Sequence, residues 1–123
     1  MEKKNIQESV EYLINNVKDS QSKGACAKYV ANALEYGGFN FKRQNSAYMY
    51  HSNNILVNNV FKEIGKGTPK TGDIYVQENT KSHPHGHITM YTGNHWVSDF
   101  IQKSDQVYRS DAGTIHYIGM NKF

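Results

Sequence analysis

Nucleophilic chemistry in this chain starts from Cys26, the single cysteine among 123 residues. It follows Ser22-Lys23-Gly24-Ala25, and helical periodicity begins beside it. The first residues of a helix present backbone N–H groups with no partner inside the helix. Those donors and the helix dipole favour a thiolate, and they also suit the oxyanion of a tetrahedral intermediate. Gly24 leaves room for a substrate backbone to approach. The plain alternative is a free cysteine packed as a small apolar side chain.

A base is offered by the segment Ser82-His83-Pro84-His85-Gly86-His87-Ile88-Thr89-Met90-Tyr91. Strand alternation puts His87, Thr89 and Tyr91 on one face and Ile88 and Met90 on the other, so the imidazole that opens the strand need not enter the apolar layer. His87 is then placed to take the Cys26 proton. The same histidines also read as a His-rich surface loop, or as a metal site built from His83, His85 and His87. Against metal stand Pro84, a cysteine far upstream and the lack of a carboxylate at zinc-motif spacing, so no metal is expected.

A dyad needs a third group to orient its imidazole. With Thr92-Gly93-Asn94 as a three-residue hairpin loop, Tyr91 pairs with His95 and His87 falls opposite Asp99, the expected orienting residue. A loop of two or four residues brings Ser98 or a backbone carbonyl there instead, and a solvated Asp99 is a further alternative. Trp96, Tyr75, Tyr91 and His85 offer amphipathic rings for a groove wall. Trp96 fits the core equally well, and Asp73 fits a turn at a strand start.

These residues must be held by helices first and strands afterwards. Ile6, Val10, Tyr12, Leu13, Ile14 and Val17 recur at helical spacing, predicting an amphipathic helix from Ile6. A second helix runs from Ala25 to about Tyr36 and stops at Gly37-Gly38. Its small residues suggest close packing on a sheet. A third helix is predicted from Ser46 to about Val60, then a loop at Gly65, Gly67 and Pro69. Asp73–Val76, Ile88–Tyr91, His95–Ile101 and Ile115–Ile118 read as β-strands. The order implies one α+β domain spanning residues 1–123, with N-terminal helices packed on a small antiparallel sheet.

Composition narrows the partners. A formal charge of +3 and scattered lysines and arginines give no basic stripe for nucleic acid. No apolar run reaches bilayer length. The N-terminus MEKKNIQESVEYLINNV has no continuous apolar stretch and no cleavage site, so synthesis in the cytoplasm without a secretory signal is expected, with any export by another route. A lone cysteine cannot form an intrachain disulfide.

Ser22 to Val30 around Cys26, Gly72-Asp73-Ile74, Gly86 to Tyr91, and Trp96 to Phe100 together resemble the CHAP and NlpC-type superfamily of papain-like peptidoglycan amidases. The compact size is also similar to amidase effectors of type VI secretion and to small phage wall hydrolases. The resemblance implies a papain-like fold and a Cys26 that attacks a stem-peptide or cross-link amide, forming an acyl-enzyme that water hydrolyses. His87 would act as base and then acid, with Gly24, His85 and Trp96 at the substrate, and no cofactor. It further implies a monomer acting on the cell wall after delivery, and a cognate immunity protein. Many members carry Asn, Glu or His as the third residue, so Asp99 departs from the pattern. A papain-like protease or acyltransferase on another substrate, or a noncatalytic His-rich metal or partner-binding module, are the rival readings.

Overall fold

The computed structural model describes residues 5–17, 26–57, 61–65, 67–102 and 114–120. Helix α1 (Ile6–Asn16) starts at Asn5, whose side chain accepts the Gln7 N–H at 2.9 Å, a polar cap that satisfies one of the exposed donors. It buries Val10 and Leu13. Helix α2 (Cys26–Tyr36) buries Val30, Ala31, Ala33 and Leu34 along one stripe. It ends where the glycines require, with Gly38 at φ 92° and the Phe39 N–H closing on the Leu34 carbonyl at 2.9 Å. No described helix is long and apolar enough to cross a membrane.

Among its described residues, the segment expected to form a long third helix holds a single turn, α3 (Met49–Ser52); residues 58–60 lie outside the described residues. Its apolar spacing was helical, but Asn53 and Asn54 end it, and Asn54 takes the left-handed conformation at φ 54°. Asn is among the few non-glycine residues that adopt that conformation readily.

Strands β1 (Phe61–Ile64), β2 (Ile74–Gln77), β3 (His87–Tyr91), β4 (Trp96–Val97) and β5 (Ile115–Met120) form one antiparallel sheet in the order β1-β5-β2-β3-β4. The architecture is therefore the expected α+β, helices packed on an antiparallel sheet. The last strand, β5, lies inside the sheet between β1 and β2, and β1 was not foreseen at all. The return strand is two residues long rather than seven.

The two faces of the sheet differ in chemistry. Ile74, Val76, Ile88, Met90, Val97 and Ile118 join the helices' Val10, Leu13, Val30 and Leu34 in the apolar core. On the other face Tyr75 packs against Trp96 at 4.9 Å and against Tyr117 and His87 at about 6 Å between ring centroids. His87 thus stands on the aromatic face of β3, at its first residue, while its neighbour Ile88 reaches into the core under α2.

Candidate active site

A cleft of about 570 Å³ opens between the start of α2, the 43–47 segment with Tyr50, and the loop before β3. Cys26 and His87 both line it, as do His85 and Ser46. The two residues that could do nucleophilic chemistry therefore share one solvent-reachable hollow.

Local backbone geometry sets His87. The His83–Gly86 turn closes with the Gly86 N–H on the His83 carbonyl at 3.1 Å, and Gly86 takes φ 66°. A Cβ at Gly86 would stand 2.3 Å from the Gln77 carbonyl oxygen, so only glycine lets the strand begin this close to β2. The Tyr48 N–H donates to the His85 carbonyl at 3.1 Å, and Ser46 Oγ bonds His85 Nδ1 at 2.6 Å, fastening the loop to the far wall.

His87 is 2% exposed. Its Nε2–H donates to Gln102 Oε1 at 2.7 Å. The Gln102 amide nitrogen donates in turn to Tyr75 Oη at 3.1 Å, and the Gln102 backbone N–H donates to the Trp96 carbonyl at 2.9 Å. This chain of bonds fixes the tautomer, with the proton on Nε2 and the lone pair on Nδ1.

Cys26 is the first residue of α2, and the backbone N–H groups of Ile88, Ala27 and Cys26 itself act to lower its pKa. Those donors favour a thiolate, but burial outweighs them, and the charge of Asp99 adds to burial, so the thiol pKa is raised. The helix start lowers the cost of the anion, and burial raises it. Burial lowers the His87 pKa, against smaller opposing effects of the Gln102 bond and the Asp99 charge. Both shifts act in the same direction, toward a neutral thiol and a neutral imidazole in the one cleft.

Asp99 does not stand opposite His87. Tyr91 pairs with Trp96, so the hairpin loop is the four residues Thr92–His95 and the register moves by one. Asp99 is 1% exposed, accepts from Ser98 Oγ at 3.2 Å, and acts on both Cys26 and His87 through its charge. The partner on His87 Nε2 is Gln102, which the sequence reading missed. Nothing in the local pattern marks it, because Gln102 reaches the imidazole only after the chain turns back on itself at the Val97↔Ile101 bridge.

The other expected residues divide. His85 is on the cleft wall, exposed and tied to Ser46. Trp96 is buried between Tyr75 and Tyr91 and lies away from the cleft lining. Its bulk belongs to the aromatic layer beneath Gln102. Gly24 lies outside the described residues. His83, His85 and His87 do not converge as a metal-binding group among the described residues.

No protein-family model and no curated protein matches the chain. Solved structures do. A crystal structure of the type VI native effector–immunity complex Tae3–Tai3 from Ralstonia pickettii matches with 31% identity, covering 95% of this chain and 99% of that one, at a TM-score of 0.79. The selenomethionine form of the Ralstonia pickettii complex matches with 35% identity, covering 90% and 98% respectively, at a TM-score of 0.79.

Proposed function

Because the chain belongs to the Tae3 family of type VI effectors, we propose that it is a peptidoglycan amidase, delivered into target cells, in which Cys26 is the nucleophile and His87 the base. The observation that carries this reading is the shared cleft, with the sulfur at a helix start and an imidazole whose far nitrogen is already bonded to Gln102.

The steps follow from that arrangement. Nδ1 of His87 takes the thiol proton as Cys26 Sγ attacks the amide carbonyl carbon. The resulting oxyanion is met by backbone N–H groups at the start of α2, donors already in place before charge develops. The imidazolium returns its proton to the nitrogen, the C–N bond breaks, and the amine leaves a thioester on Cys26. Water then attacks, with His87 again taking a proton, and the carboxylic acid departs with the thiol restored. Gln102 accepts from Nε2–H throughout, which holds the ring in plane and supports the positive charge when it forms. The order of a helix cysteine, a strand histidine and a following amide acceptor supports a papain-like relationship.

His85 and Ser46, bonded across the cleft, would meet the substrate beside the scissile bond. A cognate immunity protein is proposed on the strength of the effector–immunity complexes that this chain resembles.

The single cysteine makes a chemical test site-specific. Treat the protein with iodoacetamide to graded extents, and follow digestion of purified sacculi by the appearance of new amine termini. Activity should fall in proportion to the fraction of carbamidomethylated protein. Fully alkylated protein that still digests sacculi at the untreated rate would exclude the thiol from the chemistry.

A further inference from the structure

Outside the cleft, four side chains of metal-ligating type meet on the core-facing side of the sheet. Glu63 of β1 pairs with Ile118, and His116 of β5 pairs with Val76, so both share a face with core residues. Glu78 follows β2 two residues beyond Val76, on the same face by alternation. His51 comes down on them from α3.

The contacts are close. The His51 and His116 rings stack at 3.6 Å with 9° between planes. His51 Nε2 is hydrogen-bonded to Glu63 Oε1, and His116 Nε2 lies 2.9 Å from Glu78 Oε2. One ligand atom each from His51, Glu63 and His116 lie within 4.8 Å of one another. The imidazoles are 21% and 23% exposed while the two carboxylates are 55% and 49% exposed, so the group is walled by protein on one side and open to an ion on the other.

We propose that His51, Glu63 and His116, with Glu78 or water completing the shell, form a binding site for a divalent transition metal of the zinc type. Two imidazole nitrogens and carboxylate oxygens are a borderline donor set that suits zinc, whereas calcium and magnesium prefer oxygen alone. Tetrahedral bonds of about 2.0–2.2 Å bring ligand atoms to roughly 3.3 Å apart, so the ring stack must open and the atoms draw in. That adjustment falls on the side-chain torsions of His51, on its four-residue helix, and of half-exposed Glu63. An ion there would join α3 to β1 and β5. It would also steady the cleft wall, because Tyr50, next to His51, lines the cleft and its Oη accepts the Gln44 N–H at 3.2 Å.

The test uses full-length Cys26→Ala protein stripped of metal, which removes the thiol as a competing ligand. Titration calorimetry with zinc chloride should show one equivalent bound, and zinc should raise the thermal midpoint. Adding His51→Ala, or the near-isosteric Glu63→Gln, should weaken binding by at least the roughly tenfold that even outer-shell partners cost, and should abolish the thermal shift. Circular dichroism checks that each variant is folded, and Glu63→Gln, a change at a half-exposed position, keeps the test available if His51→Ala disturbs α3. No zinc uptake up to millimolar concentration, or uptake that neither substitution weakens, overturns the proposal.

Discussion

Replacing Gln102 with alanine isolates the residue that the structure places behind His87. The substitution removes Oε1 from the Nε2–H at 2.7 Å and leaves that donor inside a side chain that is only 2% exposed. An unsatisfied buried donor costs about 1–3 kcal/mol. If that cost falls on the tautomer carrying the proton on Nε2, its share relative to the alternative drops by about 5- to 150-fold at 25 °C. kcat for sacculus digestion should fall by that range while KM changes little, because Gln102 is itself buried and does not line the cleft. The pH profile adds a signature with a definite sign. The Gln102 bond raises the His87 pKa, so its loss lowers it further and moves the acid limb to lower pH, whereas Gln102→Glu places a carboxylate there and moves the limb up. Initial rates on soluble peptidoglycan fragments across pH measure both, with urea unfolding to confirm the fold. A Gln102→Ala variant within twofold of wild-type kcat and with an unmoved acid limb would refute the assignment.

Other outcomes follow from the same geometry. Asp99→Asn should lower both the Cys26 and His87 pKa values, since its charge raises each, and iodoacetamide should then alkylate Cys26 faster at pH 8; a fall in kcat as deep as that of Gln102→Ala, with alkylation unchanged, would restore Asp99 to the orienting role. Stability should decline at both pH extremes, as read by urea midpoints. Below the ordinary imidazole value of 6.5 the unfolded chain binds the His87 proton before the folded one does, and above the ordinary thiol value of 9.0 the unfolded chain loses the Cys26 proton first. His87→Gln should flatten the acid limb of that profile and Cys26→Ala the alkaline limb, and limbs unchanged in these variants would assign them to other groups. Gly86→Ala should cost at least about 2 kcal/mol in urea unfolding, from left-handed strain together with the collision of its Cβ with the Gln77 carbonyl; an unchanged midpoint would show that the turn has room.

Elements with strong periodicity were legible from residues alone. Val10, Leu13 and Val17 marked α1, the alanine-rich stripe before Gly37-Gly38 marked α2, and Ile88 with Met90 marked the buried face of β3. The segment after Ser46 misled because its apolar spacing is helical while Asn53 and Asn54 end the helix after one turn, a contest that local chemistry decides. Phe61–Ile64 was too short to announce a strand, and it forms one only by pairing with β5 from the far end of the chain. Cys26 and His87, which share the cleft, stood out because a helix start and a Gly-His strand opening are local signals. Gln102 did not, because its contact with His87 depends on a reversal after a two-residue strand. A one-residue error in the loop was enough to put Asp99 in its place. His51, Glu63 and His116 are scattered along the sequence for the same reason: the sheet order, not the spacing, brings them together.

In the proposed reaction the sulfur of Cys26 makes the covalent bond to the substrate carbonyl. Purified sacculi should be digested with equal amounts of folded wild-type and Cys26→Ala protein, with released fragments and new amine termini quantified by mass spectrometry. Wild type should release new termini and Cys26→Ala none above background, whereas equal release by the two proteins would exclude Cys26 as the nucleophile.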